Sequence, residues 1–250
     1  IHGFPDYWYS WRHQMEGLAE NYTVVAMDTR GYNKSDQPTG VKNYGLELLI
    51  ADVAAVIENE GRENAVIIGH DWGGVIGWSF AAARPDLTSR LIIINLPHVK
   101  NLARELAKME TQHQNSQYAR NFQQPNSHEA ISAERLASSL SRGDANLHAK
   151  YLAAFEDSSA DAMMNYYRAN YPREPYDSGA FVEIDRIQAP VLQFHGLSDT
   201  ALLPGALNDT WEELDQDWTL VTIPGAGHWP HHDKPDVVTN MIKAWLALHE

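Results

Sequence analysis

Five short, continuous apolar runs, separated by stretches of helical period, restrict this chain to few architectures. They are TVVAMD at 23–28, AVIIG at 65–69, LIIIN at 91–95, PVLQFHG at 190–196 and TLVTIPG at 219–225. A strand with one wet face alternates apolar and polar residues. Unbroken runs rich in β-branched residues mark strands covered on both faces, as in a parallel sheet. Helical patterns lie between most of these runs. In LELLIADVAAVIENE at 46–60, Leu46, Leu49, Ile50, Val53, Val56 and Ile57 recur at helical spacing, and 234–249 closes the chain with another such pattern. The expectation is an α/β fold, a mostly parallel, doubly wound sheet whose ligand crevice lies beyond the carboxyl ends of its strands.

The alternation stops between residues 98 and 180. That segment holds no convincing strand but several helical stretches, including NLARELAKMETQHQ, AISAERLASSLSRG, NLHAKYLAAFED and SSADAMMNYYRAN. Because the strand pattern resumes at 190, the segment reads as a helical cap, 98–180, inserted into a core formed by 1–97 and 181–250. The apolar faces of these helices are expected to be buried within the chain or in a homodimer. The chain opens at IHGFP, a loop of the kind that follows a buried strand, so further strands are expected upstream of Ile1.

Composition removes several function classes. No apolar run approaches the roughly 18 residues that a membrane span requires. A formal net charge of -14 argues against nucleic acid as a partner, since phosphate contacts call for clustered Lys and Arg. Cysteine is absent, which removes disulfides, thiolate metal sites and a cysteine nucleophile, and fits a reducing, cytoplasmic setting.

Reactive groups in such a sheet belong at the strand ends. The stretch GHDWGG at 69–74 places Asp71 between a buried strand and an apolar helical run, with small neighbours that permit a sharp turn. Asp199 follows the fourth run in FHGLSDT, and His228 follows the fifth in PGAGHWP. The order nucleophile, acid, histidine is the triad order of strand–elbow–helix hydrolases. The loop after LIIIN reads NLPH and offers no carboxylate, which leaves Asp199 as the partner of His228. In GHWPHHD, residues His228, His231, His232 and Asp233 are close in sequence, but Pro230 and the turn oppose their convergence on one ion, so no metal is expected.

Taken together, HGFPDYWYSWRHQ, DTRGYNKSDQP, GHDWGG, NLPH, FHGLSD and GAGHWPHHDKPD resemble the epoxide hydrolases of the α/β-hydrolase superfamily over essentially the whole chain. The resemblance implies an α/β-hydrolase fold and two cap tyrosines facing the nucleophile: Tyr118, from YARNFQQP, and Tyr167, from NYYRAN. Adjacent helical residues point about 100° apart, so Tyr166 is not expected to share that pocket. The resemblance and the elbow together nominate the backbone N–H groups of Phe4 and Trp72 as an oxyanion hole, with His2 and Gly3 shaping the first loop.

The implied reaction is hydrolysis of an epoxide to a vicinal diol through an alkyl ester on Asp71, released by water that His228 activates. A carboxylate, with an ordinary pKa of about 3.9, is already an anion at neutral pH and needs no base before it displaces an alkyl C–O bond. No cofactor is implied. Phe4, Trp72 and Trp229, with Phe122 and Phe155, suggest an apolar substrate. Two other readings are kept. A haloalkane dehalogenase would use the same aspartate, although Phe4 stands where halide sites place an amide and the paired tyrosines would be unexplained. A non-catalytic ligand binder of the same fold has no need of the full set of groups.

Overall fold

The computed structural model describes residues 1–176 and 184–249. Four strands, β1 (Ala65–His70), β2 (Thr88–Ile94), β3 (Val191–Gly196) and β4 (Trp218–Ile223), form a parallel sheet in the order β1-β2-β3-β4. The register sets Ile67 beside Leu91, Leu91 beside Val191, and Val191 beside Trp218. The unbroken apolar character of β2 has a direct cause. Leu91 and Ile93 join a core with Val75, Trp78 and Phe80 on one side, whereas Ile92 and Ile94 join Leu192, Phe194, Val238, Ile242 and Trp245 on the other. All four isoleucine and leucine side chains at 91–94 are fully buried.

The helices that cover this sheet are α1 (Arg12–Leu18), α2 (Leu46–Asn59), α3 (Trp72–Ala83), α10 (Pro230–Asp233) and α11 (Pro235–Leu248). Between β2 and β3 the chain forms α4 (Val99–Lys108), α5 (Glu110–Asn115), α6 (Gln117–Phe122), α7 (Ala133–Ser141), α8 (Ala145–Glu156) and α9 (Ala160–Asn170). These elements rest on the loops beyond the strand ends. The Tyr166 hydroxyl of α9 donates to the Arg30 carbonyl at 2.8 Å, and Gln112 of α5 is bonded to the loop after β3 at 201–203. Of the boundary expected at 180, residues 177–180 lie outside the described residues. No helix among the described residues is long and apolar enough to cross a membrane.

The first apolar run departs from expectation. Residues 23–28 form no strand, and Val25 is half exposed. A strand needs a partner for its backbone groups, and this run pairs with none among the described residues. An apolar cleft of about 490 Å³, lined by Thr23–Met27 on one side and Ala65–Ile68 on the other, separates it from β1. Ile1 lies along that edge of β1, its backbone nitrogen donating to the Ile68 carbonyl at 2.6 Å and its carbonyl accepting from His70 N–H at 3.1 Å.

Candidate active site

The turn from β1 into α3 holds Asp71 at φ 51° and ψ -120°, a conformation that L-residues rarely adopt. Such strain costs about 1–3 kcal/mol and persists only where surrounding structure enforces it. Two close approaches enforce it here. A Cβ at Gly69 would collide with the Gly73 carbonyl, and a Cβ at Gly3 would collide with the Asp71 side chain. The turn therefore closes only with glycine at both positions, and it brings the loop after Ile1 against the carboxylate.

Asp71 is buried, and its two oxygens have different neighbours. Oδ1 accepts from the Phe4 backbone N–H at 2.7 Å, whereas Oδ2 lies 3.4 Å from His228 Nε2. The Trp72 N–H belongs to the first turn of α3, where backbone donors have no partner within the helix. On its far side His228 Nδ1 meets Asp199 Oδ2 at 2.7 Å. The loops after β1, β3 and β4 thus bring Asp71, Asp199 and His228 into one line of contacts.

Burial disfavours charge on all three groups, yet their mutual attraction prevails. At Asp199 it is outweighed first by the charge of His228 and then by hydrogen bonds from His228 and Asn95, so the carboxyl sits well below its ordinary range. Burial of Asp71 is likewise outweighed by His228, helped by the Phe4 N–H, and its pKa is lowered. His228, desolvated but flanked by Asp199 and Asp71, is raised to about 10. His2 is pushed down to about 4 by burial, which keeps its ring neutral, and its Nε2 accepts from Thr29 N–H at 3.1 Å.

Tyr167 on α9 and Tyr118 on α6 come to the same place from two helices. Tyr167 packs edge-on against Trp72 at 5.0 Å, Phe4 at 5.7 Å and Phe122 at 5.0 Å, and its ring centre is 6.3 Å from that of Tyr118. Burial, with the Asp71 charge as a further contribution, raises both phenols well above their ordinary pKa. Both are therefore protonated donors. Tyr166 sends its hydroxyl to the Arg30 carbonyl and packs on Tyr32 and Tyr44, with its ring 5.9 Å from that of Trp72. Trp229 stands edge-on to His228 and beside His70, and Phe155 stacks on Tyr151 instead of joining the rings around Asp71.

The histidine-rich stretch divides its groups. Asp233 accepts from Gly227 N–H and pairs with Arg142, while His231 and His232 each place Nε2 3.0 Å from the Ser10 hydroxyl. Asp6 accepts from that hydroxyl at 2.7 Å, so Asp6, His231 and His232 lie within 4.8 Å of one another. Ser10 can fill its one donor and two acceptor positions with these three partners, and the cluster is a buried hydrogen-bond hub between two loops.

One residue at the site had no part in the sequence reading. Asn95, at the end of β2, is fully buried at φ 42° and donates to Asp199 Oδ2 at 2.8 Å. Its sequence signal is an amide at a strand end, in NLPH.

The alpha/beta hydrolase fold family matches residues 1–235. Epoxide hydrolase 1 of Caenorhabditis elegans is 32% identical over 100% of this chain, which spans 64% of that protein's length. Epoxide hydrolase 4 of Mus musculus is 30% identical over 98% of this chain and 71% of its own length. A variant of an epoxide hydrolase from Bacillus megaterium, complexed with its naphthyloxy-propane-1,2-diol product, superposes with a TM-score of 0.92 at 29% identity. That alignment covers 99% of this chain and 92% of the other.

Proposed function

The chain belongs to the alpha/beta hydrolase fold family, among its epoxide hydrolases, and on that premise we propose that it converts an epoxide to a vicinal diol in two covalent half-reactions centred on Asp71. The observation that carries this reading is the setting of the Asp71 carboxylate. It is buried between the Phe4 N–H and His228, with Tyr118 and Tyr167 beside it as protonated donors.

In the first half, a carboxylate oxygen of Asp71 attacks an epoxide carbon and forms an ester bond. The carbon–oxygen bond of the ring breaks, its electron pair moves to the ring oxygen, and hydrogen bonds from Tyr118 and Tyr167 stabilise that oxygen as it becomes charged. We read residues 98–180 as a cap because it supplies these donors from outside the sheet. Serine would first need deprotonation; an aspartate held anionic does not.

In the second half, water attacks the ester carbonyl while His228 takes its proton, and the N–H groups of Phe4 and Trp72 stabilise the oxyanion. The raised pKa of His228 fits this order. In the resting protein His228 stands between two carboxylates; once Asp71 is esterified, one of them is neutral, and the imidazole releases its proton more readily. The alkoxide takes up one proton, relayed by the tyrosine hydroxyls, to become a hydroxyl, and the proton that His228 releases balances it before the imidazole takes a new one from water. The diol departs with one oxygen from the epoxide and one from Asp71, and water replaces the latter. Phe4, Phe122, Trp72 and Tyr167 around the carboxylate favour an apolar epoxide, as Trp229 beside His228 does.

One turnover with excess protein in oxygen-18 water tests the mechanism. Label is expected in the peptide that carries Asp71, and label in the diol alone overturns the covalent step. A bromoalkane given in parallel separates the dehalogenase reading, which requires bromide release without diol formation from the epoxide.

A further inference from the structure

The amide of Asn95 joins the end of β2 to the two loops that carry Asp199 and His228, and both its Nδ2 hydrogens and its Oδ1 are hydrogen-bonded. Its Oδ1 accepts from Gly196 N–H at 2.8 Å, and its Nδ2 donates to Asp199 Oδ2 at 2.8 Å and to the Gly227 carbonyl at 3.2 Å. The partners fix which way the amide faces. Gly196 N–H can only donate, while a carboxylate and a carbonyl can only accept, so a flipped amide would lose all three bonds. The remaining donors to Asp199 come from its own loop and from His228: Ala201 N–H and Leu202 N–H reach Oδ1, and His228 Nδ1 shares Oδ2 with Asn95. The backbone conformation at 95 points the same way, because asparagine tolerates positive φ better than most residues.

We propose that Asn95 is a positioning residue for the hydrolytic half-reaction, holding Asp199 and the Gly227–His228 backbone so that His228 meets the ester on Asp71. The inference rests on the two-step covalent reading and deepens it. Asn95 touches neither Asp71 nor the aromatic group beside it, so ring opening does not depend on its amide. Ester hydrolysis does, because His228 must keep one tautomer and one orientation while it takes a proton, and Asp199 enforces both. Aspartate at 95 would be nearly the same shape but would turn an acceptor toward Asp199 and toward the Gly227 carbonyl. Glycine would remove the amide while accepting the backbone conformation.

Rapid-quench mass spectrometry of Asn95→Gly, Asn95→Asp and His228→Gln with an aryl epoxide tests this. In both Asn95 variants the ester is expected to form within about threefold of the wild-type rate. Its hydrolysis is expected to slow about 10- to 100-fold, the range seen when an outer partner of a working group is removed. The ester then accumulates as a mass increase of one substrate, as in His228→Gln. If His228→Gln accumulates ester and the Asn95 variants do not, or if both half-reactions slow together, the positioning role is overturned. If His228→Gln accumulates none, the covalent reading itself fails. Should Asn95→Asp not fold, Asn95→Ser, which keeps a hydroxyl donor, is expected to hydrolyse the ester at a rate between those of wild type and Asn95→Gly.

Discussion

His228 stands between two carboxylates, a position that, in the proposed mechanism, lets one imidazole serve at different stages. Nδ1 is 2.7 Å from Asp199 and Nε2 is 3.4 Å from Asp71, so the cation is favoured despite burial. Asp71→Asn removes one of the two charges and leaves the shape nearly unchanged. The His228 pKa is expected to fall from about 10 in that variant, read as a shift of its imidazole NMR titration toward lower pH. The sign for stability follows. A raised histidine pKa adds stability that is complete below the unfolded value of about 6.5 and is lost as pH rises through the folded value. Any stability advantage that wild type owes to this contact should therefore shrink between about pH 6.5 and pH 10. An unchanged His228 titration in Asp71→Asn would separate the two groups electrically and remove the stage-dependent basicity.

Two tyrosines meet at the site because two helices, distant in sequence, end up side by side. Tyr118 comes from α6 and Tyr167 from α9, and Phe122 fills the space between them and Phe4. Gln123, just past α6, ties the pair by donating to the Tyr171 carbonyl at 2.7 Å. Each single change, Tyr118→Phe or Tyr167→Phe, keeps the ring packing and removes one donor. Loss of one donor of this kind costs about 10²- to 10³-fold in catalysis elsewhere. With a second phenol present the single variants should lose about tenfold or more in ring opening, and the double variant far more. Single-turnover ester formation measures this directly. Full activity in the double variant would remove both phenols from the mechanism.

At the scale of the molecule, α4–α9 are fastened to the sheet by polar contacts at the rim as well as by the shared apolar core. Gln112 is buried and makes three bonds: it donates to Ala201 O and Ser116 Oγ at 2.8 and 2.9 Å, and accepts from Leu203 N–H at 2.8 Å. Lys100 pairs with Glu213, and Arg104 with Asp209, between α4 and the segment after β3. Gln112→Leu would keep the volume and leave the partly buried Leu203 N–H and Ala201 carbonyl unmatched in the loop that carries Asp199. A loss of about 1–3 kcal/mol is expected, measured by urea unfolding. Ester hydrolysis should weaken as well, since Ala201 N–H is one of the donors to Asp199. An unchanged unfolding midpoint would show that this contact does not hold the inserted helices to the sheet.

The runs at 65–69, 91–95 and 190–196 could be read as strands because parallel strands covered on both faces carry their burial in their own residues. The run at 219–225 reads the same way, although β4, last in the sheet order, leaves Leu220 and Thr222 exposed. The run at 23–28 looks the same in sequence but is no strand, because pairing depends on what lies across the edge. Asp71, Asp199 and His228 could be named from their order at strand ends, since this topology puts strand ends on one side. The two tyrosines could be named only through family resemblance. Asn95 and Gln112 had no legible role: an amide acts through the donors and acceptors that folding brings to it, and those lie 101 to 132 residues away for Asn95 and, Ser116 apart, 89 to 91 for Gln112. The sequence alone determined the layered core and the candidate reactive groups, because burial and intrinsic chemistry reside in each side chain. Only the tertiary structure decided their charge states, orientation and support, because these depend on distances between residues far apart in the chain.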